Sequence, residues 1–115
     1  MEAQVFGTRK NAETRKALRF FAERRVRVHF VDLAERAASR GELAKFAQKF
    51  GVGALIEREG RRFHELGLGS ASLSDERWLE RLASEPMLLR QPLVRSGNRF
   101  TVGVDEPAWK EWLSQ

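Results

Sequence analysis

Asn11 and Thr14 stand three residues apart where a short apolar strand, Val5-Phe6-Gly7, gives way to a basic loop, Thr8-Arg9-Lys10, and then to a helix. Two cysteines at that spacing would be a redox centre, because the free amides and the positive end of a helix dipole stabilise a thiolate. The chain contains no cysteine. An amide is not a nucleophile, a threonine hydroxyl becomes one only beside a base, and neither side chain forms a disulfide. Two roles stay open for the segment. The amides at the helix start suit an anion, with Asn11 adding hydrogen bonds. Alternatively Asn11 is simply the N-cap, a position at which Asn is among the preferred residues, and this plainer role is favoured.

No other constellation carries chemistry as directly. His29 falls in an alternating strand and His64 in a polar segment, too far apart and without cysteine neighbours to suggest a metal, and no cofactor is expected. Thr14 with His29 as an activated nucleophile is outweighed by a structural role for a strand histidine. Trp78, Trp109 and Trp112 recur with other apolar residues at helical spacing and read as core.

The elements that must hold Asn11 and Thr14 follow from periodicity. Gln4–Gly7 is the first strand. From Ala12 to about Arg25, Ala17, Leu18, Phe21 and Ala22 recur every three or four residues, a helix with one buried stripe and Arg15, Arg19 and Arg24 left to solvent. Val26–Val31 alternates and is rich in β-branched residues, a second strand that Asp32 ends. This β-α-β order predicts two parallel strands. Ser39 and Glu42 form a capping box for a helix carrying Leu43, Phe46, Ala47 and Phe50 up to Gly51. Val52–Glu57 reads as a short helical turn, and Arg58–Gly69 as a loop anchored by Phe63 and Leu66. Ser74 caps a helix with Trp78, Leu79 and Leu82 inward, ending near Ser84. Leu93–Arg95 and Arg99–Val102 form a hairpin around a three-residue turn, Ser96-Gly97-Asn98, and Asp105 caps a last helix with Pro107 in its first turn.

With 115 residues, 42% of them hydrophobic, the chain suits a single domain, 1–115. No apolar run approaches the roughly 20 residues of a membrane span, and Met1–Lys10 lacks the apolar stretch of a secretory signal, so a cytoplasmic protein is expected. The net charge of +5 lies entirely in residues 1–30, where eight basic residues face three acidic ones; the rest of the chain is neutral. That asymmetry suggests an anionic partner, beside the plainer reading of a solvated helix face. Direct nucleic-acid binding is the weaker option, because the basic segment has no interleaved aromatic residues and no helix-turn-helix pattern.

Four stretches together give the chain a family likeness: Phe6-Gly7 with Thr14-Arg15-Lys16-Ala17 and Phe20-Phe21; Ala54-Leu55-Ile56 with Glu65-Leu66-Gly67-Leu68; Pro86 to Leu93; and Gly97-Asn98-Arg99-Phe100 with Val102-Gly103. In their order and spacing the whole chain resembles the arsenate reductase and Spx family of the thioredoxin-like superfamily. The resemblance implies an α/β (α+β) thioredoxin-like fold, a central four-stranded mixed sheet built from β-α-β and β-β-α halves with a helical insertion between them. It also implies a cis-proline at Gln91-Pro92, facing the loop that precedes the first helix.

At the family's chemical positions the likeness fails. The nucleophilic cysteine of the reductases falls on Asn11 and the second cysteine of Spx-like members on Thr14. The oxyanion-binding arginine after the Ala-Leu-Leu stretch falls on Glu57, the arginine before the proline on Gln91, and a third arginine on Val102; Arg90 and Arg99 match basic positions in some relatives. The likeness therefore implies a family member that is not an enzyme, a protein-interaction or regulatory module. Because Spx-like relatives bind the C-terminal domain of the RNA polymerase α-subunit, that domain is the first partner to test. The rival expectation is a cysteine-independent site for glutathione or a small anion. Across these expectations the candidate ligand- or partner-binding residues are Arg9, Lys10, Asn11, Thr14, Arg15, Arg19, Arg90, Gln91 and Pro92.

Overall fold

Alternation in the first and last thirds of the chain, and helical periodicity beside it, build a mixed sheet in the computed structural model, which describes residues 1–115. Strand β1 is Glu2–Gly7, helix α1 Ala12–Glu23 and strand β2 Arg27–Asp32. After a long insertion the sheet resumes with β3, Leu93–Ser96, and β4, Arg99–Val102, and closes with helix α5, Glu106–Leu113. The strand order is β2-β1-β3-β4. β1 runs parallel to β2, with Gln4 opposite His29, and antiparallel to β3, with Val5 opposite Val94. The expected thioredoxin-like sheet, in β-α-β and β-β-α halves, is the one observed.

Two compact units result: Met1–Asp32 with Gln91–Gln115, which carries the sheet, and Leu33–Arg90. In the sheet unit Ala3, Val5 and Val94 share a face with Ala17, Phe20 and Phe21 of α1 and Trp109 and Trp112 of α5. The Trp109 ring lies 5.3 Å from that of Phe20 and 5.1 Å from that of Phe21. Its buried indole N–H donates to Thr101 Oγ1 at 2.8 Å, so burial leaves no donor unmatched.

Several boundaries differ from the sequence expectation. β1 starts at Glu2, and β2 runs from Arg27 through Asp32 instead of from Val26 to Val31. α1 stops at Glu23, short of Arg25. Arg25 takes a left-handed φ of +58°, and Arg25 N–H and Val26 N–H donate to Ala22 O and Phe21 O, the paired bonds of a Schellman turn. Arg24 is not simply solvated: its guanidinium stacks 3.8 Å over the Phe20 ring and donates to Phe20 O at 3.1 Å. The hairpin turn is two residues, Gly97-Asn98, because Ser96 pairs with Arg99; Gly97, at φ +60°, meets the demand for glycine first in such a turn.

The Leu33–Arg90 unit holds α2, Arg40–Phe50, α3, Arg61–Glu65, and α4, Asp75–Ser84, with single 3-10 turns at Val52–Leu55, Leu68–Ser70 and Pro86–Leu88. The Ser39–Glu42 capping box forms in both directions. The segment expected to be a loop contains α3, a single helical stretch too short for periodicity to reveal. Phe63 is buried within it, while Leu66 is only half-buried. Ile56 bridges Leu89, with Glu57 N–H donating to Leu88 O and Arg90 N–H to Leu55 O, each at 2.8 Å. No helix is long and apolar enough to cross a membrane.

Candidate functional site

Asn11 has extended backbone, φ −81° and ψ 123°, and its Oδ1 accepts from Thr14 N–H at 2.8 Å. It is thus the N-cap of α1, satisfying one of the amides that the helix start leaves without an intrahelical partner. Thr14, one turn in, is fully buried, and its hydroxyl lies 3.1 Å from Asn11 Oδ1 and 3.3 Å from Gln91 Oε1. One hydroxyl proton serves those two acceptors. Gly7 explains how Thr14 fits: a Cβ at position 7 would overlap the Thr14 side chain, so the end of β1 can pass this close only without one.

Gln91 closes the arrangement from the side of the neighbouring strand of the sheet. It precedes β3, which pairs with β1, and its peptide bond to Pro92 is cis, as the family likeness implied. Its Oε1 accepts from Thr8 N–H at 2.8 Å, from the Thr8 hydroxyl at 3.1 Å and from Thr14 Oγ1. Those donors require the carbonyl end of the amide to face the loop. Pro92 is buried and its carbonyl accepts from Gly103 N–H at 2.8 Å, tying the residue after β4 to the start of β3.

The site is therefore a set of donors, two hydroxyls and two backbone N–H groups, already met by two amide oxygens of the protein itself. An amide oxygen is a poor base, so nothing bonded to the Thr14 hydroxyl can take its proton, and its burial denies approach to a substrate. His29 lies exposed on β2 and is not among the hydrogen-bond partners of Thr14.

The remaining candidates separate. Arg9 and Lys10 are exposed on the loop. The guanidinium of Arg9 lies 4.7 Å from the Phe30 ring, and Arg15 donates to the Arg9 carbonyl at 2.8 Å. Arg19 is exposed one turn further along α1. Arg90 belongs to the other unit, with an exposed side chain. Arg99 serves the fold, donating to Gln115 Oε1 at 2.6 Å and lying 5.5 Å from the Trp112 ring. Sequence reasoning placed Thr8 in the candidate loop without a partner, and read Gln91 as a missing arginine and a candidate binding residue beside the proline, without the role of its side-chain oxygen. The only signal for their pairing was a polar residue just past a strand and another just before a proline, 83 positions apart.

Comparison with known proteins gives this geometry a setting. The ArsC family model matches residues 6–112. The protein called "Uncharacterized protein YusI" from Bacillus subtilis (strain 168) is 31% identical over 101 residues, spanning 84% of this chain and 86% of its own length. Among solved structures, a YffB protein is similar with a TM-score of 0.87 at 22% identity, covering 95% of this chain and 96% of its own. The arsenate reductase from Vibrio cholerae is similar with a TM-score of 0.80 at 22% identity, covering 96% of this chain and 94% of its own. At such identities the two structures speak for the fold.

Proposed function

The chain belongs to the ArsC family, and we propose that within it this protein is a non-catalytic binding protein that acts through a protein partner. The observation that carries this reading is the occupied loop. Where thiol chemistry on an oxyanion would need a cysteine and open donors, Gln91 Oε1 and Asn11 Oδ1 already take the N–H groups of Thr8 and Thr14 and both hydroxyls. A competing anion would have to break several of these bonds, each worth about 1 kcal/mol net and more once a buried donor is stranded.

The charge distribution supports an acidic partner. Arg9, Lys10, Arg15 and Arg19 cluster on the loop and outer face of α1. The first candidate, on the likeness to Spx-type proteins, is the C-terminal domain of the RNA polymerase α-subunit. Titration of that purified domain against the full chain tests it: binding is expected, and Arg15→Glu with Arg19→Glu is expected to abolish it. Binding that survives both reversals removes α1 as the contact. Glutathione or arsenate at roughly millimolar concentration, the range of very weak ligands, is expected to leave the NMR signals of residues 8–14 unmoved. Arsenate reductase turnover by the purified, cysteine-free chain would overturn the reading.

A further inference from the structure

β2 is the terminal strand of the sheet: its six residues pair with β1 on one side, and no strand pairs with the other edge. Such an edge offers backbone N–H and C=O groups to any extended segment that can lie beside it. Two further features say what segment. On the α1 side of the strand Val28 and Phe30 are half-buried, packed with Leu18 and Val26 at the rim of the core cluster without being enclosed by it. Cations surround this edge strand on both faces: Arg9 over Phe30, and Arg25 and Arg27, both exposed, at its start. Glu2, 3.4 Å from Arg27, forms a largely exposed ion pair with one of them, and the strand's own acidic residue is Asp32 at its far end.

We infer that the outer edge of β2 is a docking site for an extended acidic segment of a partner protein. The segment adds a further strand. Its apolar residues lie beside Val28 and Phe30 on one face, and its acidic residues lie beside Arg27 and His29 on the other. The alternation of the strand, with period two, requires that alternation of its partner. A second copy of this chain fits the edge less well than an acidic segment, because pairing β2 with itself would set three cations of each copy, Arg9, Arg25 and Arg27, against a single acid of the strand, Asp32. The inference rests on the reading that the protein works by contact, and adds to the α1 face a second, separate surface, the β2 edge, with the chemistry of the segment it takes.

The test titrates a short acetylated peptide of alternating glutamate and valine into the ¹⁵N-labelled full chain at low salt. Expected are shifts in the amides of Arg27–Asp32 and slowing of hydrogen exchange at alternate β2 amides by about tenfold or more, the mark of new strand pairing. Raised salt is expected to weaken binding. Arg9→Glu and Arg27→Glu are each expected to weaken it by about fivefold or more, while Lys110→Glu on α5 leaves it intact. A lysine-valine peptide is expected not to bind. The inference is overturned by shifts confined to the outer face of α1, by absence of binding at roughly millimolar peptide, or by β2 protection without peptide in a chain that sediments as a dimer. None of these outcomes touches the non-catalytic reading, which falls on reductase turnover instead.

Discussion

The Leu33–Arg90 unit contains ten basic and nine acidic side chains and ties many of them together: Arg36 to Glu42, Arg40 to Glu80, Arg61 and Arg62 to Glu65, and Arg62 to Glu85. The sheet unit contains eleven basic and seven acidic side chains, and within it Arg27 pairs with Glu2. Its polar order lies inward instead, in the amide and hydroxyl network of Thr8, Asn11, Thr14 and Gln91. Surface ion pairs are individually weak, so the contrast says little about which unit is more stable. It says where positive charge is concentrated at the surface, on the loop, first helix and edge strand of the sheet unit, which is where the proposed partner would bind.

Breaking the sheet unit at its core sets the upper limit of effect. Trp109→Ala removes a fully buried ring that touches Phe20 and Phe21 and leaves Thr101 without its donor, and is expected to cost about 3–5 kcal/mol in urea unfolding. Gln91→Ala tests the interior network. It strands the N–H and hydroxyl of Thr8, which is buried, and is expected to cost about 1–3 kcal/mol; an effect under about 0.5 kcal/mol would mean that water replaces the amide oxygen and the loop is not closed. Asn11→Ala and Ser39→Ala compare helix caps across the two units. Each is expected to cost about 1 kcal/mol, and a much larger loss at Asn11 would show that its bond to the Thr14 hydroxyl counts beyond the cap.

The smallest effect concerns the ion pairs. The hydrogen bonds from Arg36, reinforced by the Ser39 backbone N–H, pull the Glu42 carboxyl down to about 2. A depressed carboxyl stabilises the fold above its unfolded value and loses that contribution as pH falls through its folded value. Stability from this pair is therefore expected to be complete above about pH 5 and to drain away toward pH 2, by about 1 kcal/mol after allowance for the half-exposed Arg36. Acid unfolding of Glu42→Gln should lack that component. Glu85, held below the usual carboxylate range chiefly by its hydrogen bonds from Arg62, works in the same direction.

Much of this contrast was legible as sequence. The charge excess in residues 1–30 needs no coordinates, and the alternation in Val26–Val31 and the apolar spacing of Ala17, Leu18 and Phe21 placed β2 and α1 to within one or two residues at most ends. Asn11 as a cap, like Ser39, Ser74 and Asp105, follows from a side chain acting within its own turn. α3 escaped because five residues between glycine-punctuated stretches show too little period to be told from a loop. The Gly97-Asn98 turn came out one residue shorter than expected because strand pairing, not turn composition, sets where a hairpin turns.

What the residue order alone determined is local or subtractive: the absence of a thiol, the capped helices, the strands with their period of two, and the excess of positive charge near the start. Each depends on neighbours within a turn or a strand, or on composition. The meaning of Gln91 was decided only by tertiary structure. Pairing of β1 with β3 brings it within 2.8 Å of Thr8 across 83 positions of chain, and makes a residue that the family likeness marked as a missing arginine the oxygen that fills the loop. The free edge of β2 is likewise a property of strand order, which no single strand encodes, because a strand's pairing partners are set by the packing of the whole sheet.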